Sequence, residues 1–439
     1  MHLFMKNNLL PLLLCVAFAG ARAQTTPPEL LTAEAAVGIA LQQNFDIRLI
    51  RADAEIARLN NTKGNAGMLP NVNLVVNETF TLSAFQQKLA NGNEFNSPGA
   101  PFNAANAGVQ LNWTIFDGRR MQITKKRLEE TEALGQIQLR AQVLQTSAAV
   151  LTTYYQIVGN LLQEKALAEV IALNEERLRI AEARLAAGFA AQTDALQARI
   201  DLNQRRADLL NQQNATQRAK QQLNLLLARP ANVEFRVEET INSTYQPRRD
   251  ELLARVAAQH PDLQAFQKTA EIAALLVDET RTQYKPRIVG NAQLIAQRTD
   301  NGAGFLLNNT QAGLTAGGSF ILPLYTGGNI SRQIETAKIA AQQAAVRAEA
   351  LQRNLENALD QQLAQFQTWQ KSLELESGNA DNARESLRVS TERFRLGQTT
   401  ALEVQNAQNS LEQVLLRRNL AQLNLKIAEI QLRILENNL

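Results

Sequence analysis

The chain has 439 residues, with 45 Lys and Arg, 42 Asp and Glu, two histidines and one cysteine. The near balance of charge offers no basic patch of the kind that binds nucleic acid, so no nucleic-acid partner is expected. Cys15 and His2 both lie in a segment that we predict to be removed, and the remaining His260 precedes Pro261, which indicates a helix start. With one histidine and no cysteine left, we predict no enzyme, no cofactor and no metal site.

Residues 1–23 have the features of a secretory signal peptide. Lys6 supplies the positive start, an apolar run extends from Leu9 to Gly20, and Ala21-Arg22-Ala23 precedes the expected cleavage before Gln24. The apolar run is short for a membrane-spanning helix, which needs about 20 residues. The sequence therefore predicts export from the cytoplasm.

The segment of about 71–116 is predicted to form a hairpin of two strands, because charge nearly vanishes and apolar and polar residues alternate. Uncharged alternation over strands of about 10 to 14 residues is typical of membrane-spanning strands, with lipid on one face and water on the other. A soluble sheet packed on helices also alternates, but the near absence of charge favours the membrane. Glu78 falls in the apolar register, so either a bulge re-aims it or it lies close to the interface. A long external loop is expected around Lys88 to Phe102.

Long helices are predicted over about 118–228 and about 327–436. No proline lies between Pro101 and Pro230 or after Pro323, so nothing breaks a helix in either stretch. Apolar residues recur there in alternating steps of three and four, which is typical of coiled coils. The first helix, from near Arg119 to Arg184, would be roughly 100 Å long, which is too long for a compact globule.

The second half of the sequence repeats the first. Residues 256–263 align with 40–47, a second alternating segment occupies about 287–322, and Tyr325-Thr326-Gly327 corresponds to Phe116-Asp117-Gly118. We predict a first structural repeat over 24–229, a short segment over 230–249 and a second repeat over 250–439. The strand-to-helix junctions are then expected at Asp117, Gly118, Gly327 and Gly328. Four strands per chain cannot close a barrel, whereas three protomers would supply 12.

Two turn motifs mark the repeat most specifically. RLAAG at 184–188 matches RFRLG at 393–397, and each is followed six residues later by an acid, Asp194 or Glu403. Together with the aromatic-x-Gly junctions and the Leu-Pro and Lys-Pro strand entries, this order resembles the outer membrane efflux protein family, the TolC-like channels. The resemblance covers nearly all of the chain after residue 23.

The resemblance implies a mainly α-helical protein that forms a homotrimer. A 12-stranded transmembrane β-barrel would contact lipid in the outer membrane of a Gram-negative bacterium and continue into a coiled-coil α-helical barrel in the periplasm. Residues 230–249 would belong to an equatorial belt. The partners would be a periplasmic adaptor and an inner-membrane pump, with this protein as their passive exit duct for efflux or type I secretion. The alternative is that the chain is itself a periplasmic adaptor or another coiled-coil component of such a pump.

The two glycine turns are the candidate adaptor-docking tips. Gly188 and Gly397 each interrupt a helical pattern, as expected of a residue with positive φ that ends a helix. The resemblance implies that these turns dock the adaptor, and the contact candidates are Arg184, Leu185, Gly188, Arg393, Phe394 and Gly397. Arg393 and Arg395 are expected to pair with acids of neighbouring helices.

The residues that follow the turns are candidates for a periplasmic gate: Glu403, Asn406 and Asp194. The resemblance implies acidic residues around a narrow entrance, and three symmetry copies of Glu403 would form a ring that selects cations. Asn406 stands where a second acid is expected, so the familiar two-ring pattern is incomplete. An ordinary solvated carboxylate at Glu403 stays open as the alternative.

Overall fold

The computed structural model describes residues 29–303 and 306–438, and the predicted signal peptide lies outside this part of the chain. Its helices are α1 (Ala33–Gln43), α2 (Phe45–Asn60), α3 (Arg120–Ala186), α4 (Gln192–Leu226), α5 (Arg249–Gln259), α6 (Pro261–Arg281), α7 (Asn329–Arg395) and α8 (Ala401–Leu435). Its strands are β1 (Leu30–Leu31), β2 (Asn71–Lys88), β3 (Glu94–Phe116), β4 (Arg236–Val237), β5 (Arg287–Asn301) and β6 (Asn308–Ile321).

The long helices form two hairpins of matching dimensions. Helices α3 and α7 have 67 residues each, and α4 and α8 have 35 residues each. The longer pair extends roughly 100 Å, and α3 begins and ends within two residues of the predicted limits. The hairpins pack against each other through α3 and α8, while α6 packs against both α3 and α7. The predicted long helices are confirmed.

Strands β2, β3, β5 and β6 form one antiparallel sheet in the order β2-β3-β5-β6. Leu74, Val109, Leu294 and Leu314 are directly paired across the four strands, so they share a face. Asn73, Gln110, Gln293 and Thr315 are paired in the same way on the opposite face. The predicted division into an apolar and an uncharged polar face is therefore present in all four strands.

The predicted long loop over Lys88 to Phe102 is wrong. Pairing continues through this segment to Lys88 and Glu94, and the chain turns at Gly92, whose φ is 88°. The turn-forming residues Pro98 and Gly99 lie opposite a register shift between Ser83 and Phe85, where a bulge tolerates proline inside a strand. The strands are accordingly longer than predicted, at 18 and 23 residues for β2 and β3.

The segment of 230–249 packs against the middle of α3. β4 pairs in parallel with β1, and Phe235 and Val237 are buried in a cluster with Val150, Ile157 and Leu223. Tyr154, at mid-length of α3, donates from its hydroxyl to the backbone oxygen of Leu31 at 3.1 Å and accepts from the backbone N–H of Glu238 at 3.0 Å. This buried tyrosine joins the N-terminal segment and the inter-repeat segment to the helical hairpin.

None of the helices in residues 29–303 and 306–438 combines the length and apolar character that crossing a membrane requires.

Candidate functional site at the hairpin tips

Both helical hairpins turn through the same backbone motif. Gly188 has φ of 79° and Gly397 has φ of 73°, which confirms the predicted positive φ. At the first tip the N–H of Phe189 donates to the Arg184 oxygen at 2.8 Å, and the N–H of Gly188 donates to the Leu185 oxygen at 3.0 Å. The second tip repeats this pair of bonds, which is the Schellman pattern that ends helices at a glycine.

The first tip contacts the second through Arg184. Its Nη1 donates to the backbone oxygen of Phe394 at 2.9 Å, and its guanidinium carbon lies 4.7 Å from the centroid of the Phe394 ring. Phe394 itself is only 4% exposed, in a cluster with Val404, Leu411 and Ile180. Of the six docking candidates, Arg184 and Phe394 are therefore in direct contact and belong to the structure between the hairpins.

Glu403 is held by side chains of its own hairpin. Arg393 Nη1 donates to Glu403 Oε1 at 3.0 Å, and the Thr399 hydroxyl donates to the other carboxylate oxygen. The Glu403 side chain remains partly exposed, and its place in the first turn of α8 favours a negative charge. The predicted ion pairs are present, since Arg395 also reaches Glu176 of α3 at 3.3 Å.

Asn406 is exposed one turn beyond Glu403, whereas Asp194 is half-buried in the corresponding first turn of α4. Asp194 lines a cavity of about 130 Å³ between the hairpins, together with Phe394, Leu402 and Gln405. The three gate candidates therefore have different surroundings: Glu403 is ion-paired, Asn406 is exposed and Asp194 lines a cavity.

A buried polar network next to this cavity was not predicted from the sequence. Arg177 of α3 is 5% exposed and is paired with Asp201 of α4, and Gln405 of α8 donates to the same carboxylate at 2.9 Å. The network joins three helices one to three turns from the tips. Its sequence signal is a break in the apolar series, because Arg177 lies between the buried Val170 and Ala181 at core spacing.

Two large apolar side chains are exposed at the tips. Phe189 is 77% exposed and Leu396 is 69% exposed, each beside one of the turn glycines. Leu402 is also largely exposed, and Leu185 is half-buried. Sequence reasoning missed Phe189 and Leu396, although both are large apolar residues within predicted turns.

The strand-to-helix junctions lie at the other end of the long helices. Asp117 accepts from the backbone N–H of Met121 with both carboxylate oxygens, at 3.0 and 3.2 Å, and so caps α3. Gly118 and Gly327 have φ of 70° and 62°. The next residues, Arg119 and Gly328, also have positive φ. The second half of the chain has a glycine at this position, the residue type that favours positive φ, whereas the first half has Arg119 in the same conformation.

Two long helical hairpins with glycine tips at one end and a four-stranded antiparallel sheet at the other define the fold of the TolC-like channels. The outer membrane protein VceC of Vibrio cholerae has this fold, with a TM-score of 0.77, 18% identity and coverage of 92% of this chain and 96% of VceC. The CmeC outer membrane channel of Campylobacter jejuni matches with a TM-score of 0.78 and 16% identity over 92% of this chain and 85% of CmeC.

The sequence matches the family described as Outer membrane efflux protein over residues 36–229 and 252–438. This chain belongs to the outer membrane efflux protein family, as the turn and junction motifs predicted. Outer membrane efflux protein BepC of Brucella suis biovar 1 (strain 1330) is 26% identical over 318 residues, which cover 69% of this chain and 66% of BepC.

Proposed function

We propose that this chain is one protomer of a trimeric outer-membrane channel, the passive exit duct of a tripartite efflux or type I secretion system. One observation carries the proposal: a four-stranded sheet with one largely apolar face and one polar face of carboxamide rows continues directly into helices of roughly 100 Å. Lipid suits the first face and water suits the second.

The apolar face supports contact with lipid. Leu74, Val76, Leu294 and Leu314 are each more than half exposed, and no other part of the described chain covers them. From Ile288 to Ala296 on β5 this face extends over nine residues, which is eight steps along the strand. With a strand tilt of about 40°, that length gives an apolar band roughly 20 Å thick, close to the height of known transmembrane barrels.

Glu78 lies at the edge of this band. The nearest register shift lies beyond Ser83, so no bulge re-aims Glu78, and it shares a face with Leu74 and Val76. Across the sheet it aligns with Arg298 of β5, which pairs with Asp300 at 3.0 Å. The charged residues of the apolar face therefore lie together in neighbouring rows, where polar headgroups and water would meet the band.

The opposite face supports a water-filled lumen. Three rows of side chains there are nearly all carboxamides: Asn71, Asn112 and Asn291; Asn73, Gln110 and Gln293; and Asn77, Asn106, Gln297 and Gln311. Such groups bind water without favouring cations or anions, so this segment would conduct without strong charge selection.

The open edges of the sheet support a trimer. Among the residues that the structure describes, β2 and β6 each have no strand partner on one edge, and unpaired backbone groups in lipid cost several kcal/mol each. Pairing β6 of one protomer with β2 of the next satisfies both edges, and three protomers close a barrel of 12 strands. The helical hairpins would continue this barrel into the periplasm.

The tips are the proposed site for the periplasmic adaptor and for opening. Exposed Phe189 and Leu396 offer apolar contacts beside Gly188 and Gly397. Docking there would replace the contacts that join the hairpins, including Arg184 to Phe394, and would let the tips separate. The inner-membrane pump would supply the energy.

A matched pair of cysteine variants tests the proposal. The only native cysteine, Cys15, lies in the predicted signal peptide, so Leu314→Cys and Thr315→Cys each place a single thiol on opposite faces of β6. We expect a bimane label at 314 to be quenched by spin-labelled lipid and one at 315 by iodide, in a protein with the mass of a trimer. Quenching of both by iodide alone, or a monomeric mass, would contradict the proposal.

A further inference from the structure

A large polar cavity lies where the sheet meets the helices. Its volume is about 810 Å³, and its walls come from β3, α3, α6, β5 and the start of α7. Thr114 and Arg287 line it, and both lie on the polar face of the sheet, in register with the carboxamide rows. In the proposed trimer the cavity therefore opens toward the lumen, so the inference below rests on the proposed function.

The charged groups of the cavity are mostly basic. Four basic side chains and two acidic ones line it: Arg120, Arg127, Lys285, Arg287, Asp117 and Glu279. The net charge is thus +2 in each protomer. The carboxamide rows of the same face carry no charge. The positive charge on this face therefore lies at the cavity, at the end of the sheet that meets the helices.

Both acids of the cavity are already bound to protein groups. Asp117 accepts from the backbone N–H of Met121 and so caps α3. The Glu279 side chain, 8% exposed, accepts from Arg127 at 2.8 Å and from Arg120 at 3.5 Å. Neither acid forms an ion pair with Lys285 or Arg287. These two cations have no ion-pair partner within residues 29–303 and 306–438.

Gly118 positions Lys285. A Cβ at residue 118 would lie 2.4 Å from Lys285 Cβ and 2.9 Å from its Cδ, so the stem of the lysine crosses the glycine backbone directly. Gly118 also has φ of 70°. No other residue type at position 118 permits this approach. The exposed Lys285, from the second half of the chain, therefore lies beside the strand-to-helix junction of the first half.

We propose that this cavity is an anion-binding site, in which Lys285, Arg287 and the exposed part of Arg120 bind phosphate or carboxylate groups. A guanidinium forms paired hydrogen bonds with such groups, and an ammonium adds a compact charge. The volume lies in the range of sites for small organic molecules rather than single inorganic ions. Three copies around the axis raise the local concentration of anions in the lumen.

The test uses the intact trimer in planar bilayers of neutral lipid, with a potassium chloride gradient. We expect pyrophosphate added on the periplasmic side to lower the conductance. The Lys285→Gln, Arg287→Gln double variant should lower the anion-to-cation permeability ratio by at least about threefold and lose the pyrophosphate effect. Repeating the measurement in bilayers that contain anionic phosphatidylglycerol should leave the pyrophosphate effect unchanged, because a site that opens to the lumen does not contact lipid. Loss of the effect would show that lipid headgroups occupy the site and would overturn its place in the lumen.

The matched control is Arg298→Gln, which removes a cation from the opposite, apolar face of the same strand and should leave selectivity unchanged. Trimer mass and unitary conductance in about 1 M salt, where charges are screened within about 3 Å, show whether the double variant folds. A conducting double variant with wild-type selectivity and pyrophosphate response overturns the anion site and leaves the channel intact. Absence of conductance in the wild type counts against the channel itself.

Discussion

Arg184, at the end of α3, binds Phe394, at the end of α7, through two kinds of contact. Its Nη1 donates to the Phe394 backbone oxygen at 2.9 Å, and the guanidinium carbon lies 4.7 Å from the ring centroid. Because these residues belong to different hairpins, one arginine joins the two tips of a protomer.

Replacing Arg184 with alanine should loosen both tips. A cation–π contact and a hydrogen bond together contribute about 1 to 2 kcal/mol, so amide hydrogen exchange near Gly188 and Gly397 should accelerate about tenfold. Arg179→Ala is the control, since within the described part of the chain Arg179 forms its ion pair with Glu176 of the same helix. Equal acceleration in both variants would show that Arg184 does not join the tips.

Replacing glycine with alanine should change the stability of the protein in opposite directions in the turns and in the helix. Gly188→Ala and Gly397→Ala force a side chain into positive φ and should destabilise each turn by about 1 kcal/mol. Gly378→Ala, inside α7 with open space around its Cβ position, should stabilise by about 0.5 to 1 kcal/mol. Thermal unfolding followed by circular dichroism checks both signs, and a stabilising Gly397→Ala would be inconsistent with the turn geometry.

The contact between Arg393 and Glu403 predicts how substitutions at the tip change block of the channel by cations. Arg393 partly neutralises Glu403 at 3.0 Å, so Arg393→Gln should strengthen block of the channel by a trivalent cation such as hexaamminecobalt. Glu403→Gln should abolish that block if three copies form a ring. An unchanged block in both variants would favour a solvated carboxylate at Glu403, away from the conduction path.

His260 predicts a pH dependence of stability. It is 5% exposed, and burial lowers its pKa below the ordinary value of 6.5, against a smaller opposing effect of Asp262. His260 therefore binds a proton at a higher pH in the unfolded chain than in the folded chain. Folding stability is retained above about pH 6.5 and declines below it.

The measurement is the unfolding midpoint between about pH 7 and about pH 5, a range in which histidine titrates. His260→Asn places a residue type that suits the N-cap position before Pro261 and should flatten the decline. Parallel pH curves for wild type and variant would contradict a neutral, buried His260.

Local patterns in the sequence were sufficient for the long helices and for the faces of the strands. The absence of proline and the heptad series act within a few residues, so the limits of α3 could be placed within two residues. The turns at Gly188 and Gly397 were predictable for the same reason, since positive φ at a helix end is a local demand.

Features that depend on distant neighbours were not predictable. Pro98 and Gly99 have the composition of a loop, but pairing with β2 extends the strand through them. Arg177 interrupts an apolar series, and only the approach of Asp201 and Gln405 from two other helices explains its burial. The position of Lys285 over Gly118 likewise joins residues from different halves of the chain.

The most direct test of the proposed channel is single-channel recording of the purified protein in planar bilayers. The apolar sheet face, the carboxamide rows and the unpaired edges of β2 and β6 predict stepwise conductance from a species with three protomers. If the helical tips form the narrow entrance that the resemblance implies, their removal should raise the conductance. A folded trimer that inserts into the bilayer and passes no current in either form would contradict the account.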